Sequence, residues 1–243
     1  MSEITISAIV FACVFGGALV GMRLRTILPE HHRNAESKDL VRAAVALIGT
    51  ISALVLGLLV ASSKSSFDAQ MDELKTLSAQ VVLLDRVLVA YGPEAKDLRD
   101  LVREVVAGAR DEIWHGGSRG KRADTLYTSL HKLSPKDADQ QSLKAEALSL
   151  VLDLAKTRFL MVEQKESSVS TPLLVVVVFW LSINFVSFGL FSDRNATVGT
   201  TLFVCALSVA GAIFLILEMD RPFEGLISIS DAPLREALLQ MVP

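Results

Sequence analysis

Four apolar runs without a charged residue punctuate the chain, at positions 4–22, 43–63, 167–192 and 196–217. Each has the roughly 20 residues that an α-helix needs to cross a hydrocarbon core of about 30 Å. Their ends are abrupt. Arg23 and Arg25 close the first run, Lys64 closes the second, Glu166 and Asp193 bracket the third, and Glu218-Met219-Asp220-Arg221 stops the fourth. Such charges mark water interfaces, because an ionised group is costly in lipid. Thr171-Pro172 reads as a cap and a first-turn proline opening the third helix. Residues 192–195 leave room only for a tight turn, so the third and fourth helices form a hairpin.

Small residues recur at four-residue spacing in two of the runs. The first carries Ala8, Ala12, Gly16 and, beside them, Cys13, Gly17, Gly21; the second carries Gly49, Ala53, Gly57, Ala61. That spacing lets helix backbones approach closely in lipid. For the second file, packing on the first helix is the expectation, and a pore-facing surface in an oligomer is the alternative. Leu54 and Leu58 form a separate file with Thr50 one turn before. Asn184, near the middle of the third run, is expected to face protein and find a hydrogen-bond partner.

Between positions 65 and 168 the pattern changes: charges of both signs alternate with apolar residues at helical spacing. Phe67, Leu74, Val81 and Leu88, with Leu77, Leu84 and Tyr91, make a seven-residue seam. It predicts a helix that continues out of the second span and packs against partners. Gly92-Pro93 breaks it, since glycine suits the left-handed end of a helix and proline the first turn of the next. Leu98, Leu101, Val102, Val105, Ala109 and Ile113 give the apolar face of a following helix, ending near His115-Gly116-Gly117. Residues 118–122 read as a basic turn, and Leu126, Tyr127 and Leu130 support a short helix. Ser134-Pro135-Lys136-Asp137 predicts an N-cap, a first-turn proline and an early acid for a long helix with Leu143, Ala147, Leu150 and Leu154 on one face. Beyond the fourth span, Asp231-Ala232-Pro233 is expected to cap a short helix carrying Leu234, Leu238 and Leu239. No strand pattern occurs.

The fold these patterns predict is an all-α integral membrane protein with four transmembrane helices and a helical extramembrane domain inserted between the second and third. Residues 1–64 hold the first two spans, 65–168 the helical domain, 169–218 the last two spans and 219–243 a tail.

Composition sharpens the picture little. Hydrophobic residues make up 51% of the chain and the formal charge is only -3, which gives no reason to expect nucleic acid. Cys13 and Cys205 both lie in apolar runs, so no disulfide framework is implied. Met1-Ser2-Glu3 lacks a basic leader, and a cleaved signal peptide is not expected. There is no Gly-rich phosphate loop, Cys-x-x-Cys pair, His-Glu-x-x-His or nucleophile elbow. The adjacent His31-His32 beside Glu30 reads as a solvated loop, because neighbouring histidines point different ways. Trp114, His115 and His131 read as packing or surface groups. No enzyme activity, metal site or cofactor is expected. Glu218 and Asp220 are the carboxylates placed for work on ions, with Arg221 positioned to neutralise them.

Two stretches carry a family resemblance. Val55-Leu56-Gly57-Leu58-Leu59-Val60, followed by Phe67-Asp68 on the exit helix, resembles the second membrane helix of bestrophins. Arg221-Pro222-Phe223-Glu224-Gly225, followed by Asp231-Ala232-Pro233-Leu234, resembles their Pro-Phe-Gly segment and the acidic-Leu-Pro-Leu element downstream. The order of two helices, a long helical insert, two helices and a Pro-Phe tail is also similar. The pattern that includes Asp220 is closest to the bacterial bestrophin-like family of unknown function, with a more distant similarity to the bestrophin channels themselves.

That resemblance implies a homo-oligomer in the bilayer, a pentamer if it follows the bestrophins, passing small inorganic ions, with anions the candidate. By position Thr50, Leu54 and Leu58 would line the pore neck. The acidic run of the calcium clasp in animal members is missing, so calcium gating is not implied. Basic residues flank both sides of the spans almost equally, and the orientation follows from the resemblance: a multi-pass plasma-membrane protein with both termini and the helical domain cytoplasmic. The competing expectation is a non-conducting sensor or partner-binding scaffold acting through the helical domain.

Overall fold

The computed structural model describes residues 2–27, 35–115, 122–163, 170–192, 195–223 and 225–241. The His31-His32 pair, residues 118–121 of the basic turn and Glu224 of the tail lie outside the described residues. In order the helices are α1 (Glu3–Ile27), α2 (Ala35–Tyr91), a 3₁₀ turn (Pro93–Ala95), α3 (Lys96–His115), α4 (Arg122–His131), α5 (Ala138–Glu163), α6 (Thr171–Phe191), α7 (Ala196–Met219) and α8 (Ala232–Gln240). Four of them, α1, α2, α6 and α7, are long and apolar enough to cross a membrane. The second span and the exit helix are one element of 57 residues, α2. The chain divides into two compact units, Met1–Ser66 with Ser167–Asp220, and Phe67–Glu166 with Arg221–Pro243.

In the first unit, α1 buries Ser7, Val10, Val14, Ala18 and Gly21, one face at three- and four-residue spacing. Val10, Val14 and Ala18 pack with Leu174 and Phe185 of α6 and Leu202, Ala206 and Ile213 of α7. Phe11 and Phe15 stack at 5.6 Å between centroids, and both meet Phe203 edge-on. The approach of α1 to α6 is backbone to backbone. A Cβ added at Gly21 would run into the Val186 carbonyl, and one at Gly189 into the Ala18 carbonyl. At Gly17 it would stand 3.0 Å from the Ser182 oxygen, whereas Gly16 has nothing within 4 Å. The file that brings α1 onto α6 is therefore Gly17 and Gly21, and not the Ala8, Ala12, Gly16 file. At the hairpin, Asn195 caps α7 by accepting the Val198 N–H at 2.8 Å.

In the second unit the seven-residue seam of α2 is buried as its spacing predicts. Leu74, Leu77, Val81, Leu84, Leu88 and Tyr91 sit in a core with Leu98, Val102 and Val106 of α3, Leu126 and Leu130 of α4, and Ala147, Leu150 and Val151 of α5. Gly92 ends α2 at φ 118, a conformation that costs a side-chain-bearing residue dearly. Across this corner, the Asp85 carboxylate, 6% exposed, takes a two-pronged bond from the Arg99 guanidinium at 2.8 and 3.3 Å. The cap of α5 differs from the expected one. Ser134 lies outside the helix, and Asp137 does the capping by accepting the Gln140 N–H at 2.7 Å. Gln140 reaches back to accept from the Lys136 N–H, one residue before the cap, so the helix start sits three residues later than the Ser-Pro pattern suggests. Lys136 pairs with Glu94, and its hydrogen bond is the main cause holding the Glu94 carboxyl below its ordinary pKa.

The glycine contacts set the first prediction. Gly21→Ala or Gly189→Ala should lower stability by about 1–3 kcal/mol through forced separation of α1 and α6. Gly16→Ala, with open space, should leave stability unchanged or raise it slightly through helix propensity. Thermal unfolding in detergent checks this; equal midpoints for Gly21→Ala and Gly16→Ala would refute the close approach.

Candidate functional site

Two sets of residues carry the functional expectations: the outer face of α2 in the first unit, and the Pro-Phe tail in the second. On α2, Val45, Ser52 and Leu59 are buried, Leu59 against Val177 of α6 and Ile216 of α7. The opposite side is bare. Leu54 and Leu58 are 65% and 63% exposed, with Leu47 and Ile51 exposed alongside them. Thr50 is exposed too, and its hydroxyl donates to the Ala46 carbonyl at 2.9 Å, which satisfies it within the helix. Thr50, Leu54 and Leu58 thus share one uncovered face.

The small file of α2 departs from its expected packing on α1. Gly49 faces α6, where a Cβ would stand 3.1 Å from Asn184 Oδ1. Ala53 and Ala61 are exposed, and Gly57 has nothing within 4 Å. Asn184 itself is buried, as an amide in a span should be, and its Nδ2 donates to the Trp180 carbonyl at 2.9 Å. At the end of α7, Glu218 is buried and Asp220 is the C-cap, its N–H donating to the Ile216 carbonyl. Cys13 and Cys205 are free thiols on exposed faces of their helices.

In the second unit the tail is organised by aromatic packing. Phe223 is buried, and its ring meets Trp114 of α3 edge-on at 5.5 Å between centroids. The Trp114 indole N–H donates to the Ile229 carbonyl at 2.9 Å, and the Ile229 N–H returns to the Pro222 carbonyl at 2.6 Å. These bonds close a loop whose Gly225 sits at φ 87, where glycine alone is unstrained. Pro222 is buried and Arg221 exposed. Phe67 of α2 is partly buried against the same core, and Asp68 is half-exposed. Asp231 does not cap α8 with its side chain; its carboxylate accepts from Arg110 Nε at 2.6 Å. Arg103 donates to the Met241 carbonyl, and Leu234, Ala237 and Met241 are buried in the core.

Sequence reading missed Arg103, Arg110 and Trp114 as the holders of the tail. Their spacing of seven and four places them on one face of α3, which was the available signal. Among the described residues no group of three His, Cys, Asp or Glu side chains could hold a metal ion.

Four apolar helices and a separate helical unit define a multi-pass, all-helical membrane protein. The chain matches the Bestrophin-like domain family over residues 12–234, and it belongs to that family. No curated protein and no solved structure matches it.

The tail geometry gives the second prediction. Phe223→Ala removes a packed ring and should cost about 3–5 kcal/mol. Near-ultraviolet circular dichroism of Trp114 should lose intensity in parallel. An unchanged melting temperature and an unchanged Trp114 signal would show that the ring contact contributes nothing.

Proposed function

We propose that the chain is the subunit of an oligomeric membrane channel, with an apolar neck made by Leu54 and Leu58 of α2 and Thr50 one turn before. The observation that carries this reading is the small file Ala53, Gly57, Ala61, left bare by the chain's own helices. Small residues gain little by facing lipid, and they allow close approach when they face another helix. The apolar window of α2 is also the least covered of the four, 17% buried against 28% for each of the others. A second copy of α2 laid against the small file would turn the adjoining leucines toward a shared axis. A narrow apolar passage there gates by dewetting, since a hydrated ion cannot cheaply follow once water leaves.

The reading includes a homo-oligomer, a pentamer by similarity to the bestrophins, that passes small inorganic ions with anions the first candidate. It has no enzymatic activity and no cofactor. Residues 65–168 form an extramembrane helical domain, and this domain and both termini face the cytoplasm of a plasma-membrane protein. The alternative, a non-conducting scaffold, draws on a groove of about 470 Å³ between α2 and α8 of the second unit. Lys75 and Arg86 flank one side of it and Glu236 and Gln240 the other, as a partner segment of mixed charge would require.

Ion flux in proteoliposomes separates the two. The channel reading expects flux from the wild type and a severalfold rise for Leu54→Ala with Leu58→Ala, without change in oligomer size. A correctly inserted oligomer that passes no ion in either form would leave the scaffold reading. For topology, reporter fusions at Ser118 and Asn195 should report opposite sides of the membrane; equal activity at both would exclude the four-span arrangement.

A further inference from the structure

A cleft of about 430 Å³ opens in the first unit between the start of α2 and the end of α6. Val45, Ala46 and Gly49 line one wall, and Asn184, Ser187, Phe188 and Phe191 the other. Arg42 and Ser192 stand at its mouth. Seven residues of helix separate Arg42 from Gly49 and Phe191 from Asn184, so the cleft runs about 10 Å down the span. That volume lies in the range of small-molecule sites.

We propose that this cleft binds one anionic glycerophospholipid, with its phosphate on Arg42 and an acyl chain against Phe188 and Phe191. Three observations select this occupant. The walls are mostly apolar and lie within spans, where water would find too few partners to fill the space stably. The mouth carries Arg42, largely exposed and 3.8 Å from Asp39, a surface pair that a phosphate can readily outcompete, and Arg25 donates to the Ser192 carbonyl beside it. Two polar groups lie along the α6 wall, Ser187 one turn below the mouth and Asn184 at the floor. The Ser187 hydroxyl is a donor for an ester carbonyl, and Asn184, only 4% exposed, spends Nδ2 on Trp180 and keeps Oδ1 toward the Gly49 side. Glycine at position 49 is what keeps the floor open, since any side chain would press on that oxygen. A free anion would need Arg42 alone and would leave the apolar walls unused. The site is independent of whether the chain conducts, because it needs only insertion in a bilayer.

Native mass spectrometry of the detergent-purified chain, titrated with phosphatidylglycerol or phosphatidylcholine, tests it. The wild type should retain one phosphatidylglycerol per chain with roughly tenfold preference over phosphatidylcholine, whose choline cation offsets the attraction of its phosphate to Arg42. Arg42→Gln should abolish the preference, while Gly49→Leu should weaken both lipids by filling the cleft. Ala46→Phe, at an exposed position, should act like Gly49→Leu without disturbing Asn184. Glycerol 1-phosphate should fail to displace the lipid. Equal retention of the two lipids by the wild type would overturn the proposal. So would unchanged binding in both cleft-filling variants, which would mean charge attraction at the surface only. Displacement by glycerol 1-phosphate would reassign Arg42 to a free phosphate.

Discussion

The contact on which the membrane unit depends is the backbone approach of α1 to α6 at Gly21 and Gly189. In hydrocarbon, apolar side chains gain nothing by leaving lipid, so helices associate through packing and hydrogen bonds. Interlocked glycines bring Gly21 under the Val186 carbonyl and Gly189 under that of Ala18, which no larger residue permits. With α1 committed to α6 and α7, α2 packs Val55, Leu56 and Leu59 against Val177, Leu181 and Ile216, and sets Gly49 beside Asn184 of α6. Its remaining surface is a consequence of that commitment.

The second unit is held by a different kind of contact. There the apolar seam of α2 is covered by side chains of α3, α4 and α5. Polar detail then fixes angles. Asp85 with Arg99 locks the corner after Tyr91, Glu112 with Arg158 ties α3 to α5, and Arg110 with Asp231 pins the start of α8. Asp85 is nearly buried, so its partner is an obligation: an unpaired carboxylate there would cost far more than the pair contributes. The Pro-Phe tail joins this core through Trp114, which explains why the tail and residues 67–166 form one unit.

Periodicity made the helices legible. The four spans, the seam from Phe67 to Tyr91 and the Gly92 break can all be read from spacing, because each depends on burial or φ at known positions. Partner choice was much less legible. The four-residue files of Ala8 and Gly17 look alike in sequence, and only the facing backbone of α6 distinguishes Gly17 and Gly21 from Gly16. The α5 cap moved from Ser134 to Asp137 because both residues can cap, and tertiary packing decides where the helix starts. Trp114 reads in sequence as ordinary packing; its particular partner, Phe223, lies far along the chain and carries no local signature.

The angular order of residues around α2 links these points. Taking about 100° per residue, Leu47, Leu54 and Leu58 fall within about 40° of one another. Ala61, Gly57 and Ala53 follow on one flank, about 20°, 60° and 100° from Leu54, and Gly49 lies farther round at about 140°. Val45, Ser52, Leu59 and Ser63 occupy the opposite side, which is the buried one. The helix therefore presents an apolar face, a flank of small residues and an inner face in rotational sequence. A helix in lipid needs only the inner face. A helix that lines a ring of copies needs all three, because each copy must touch the axis, its neighbour and its own chain. The cleft beside Gly49 falls at the join of the last two sectors, where α2 turns from the small flank to α6, and the least side-chain volume is available to close the gap.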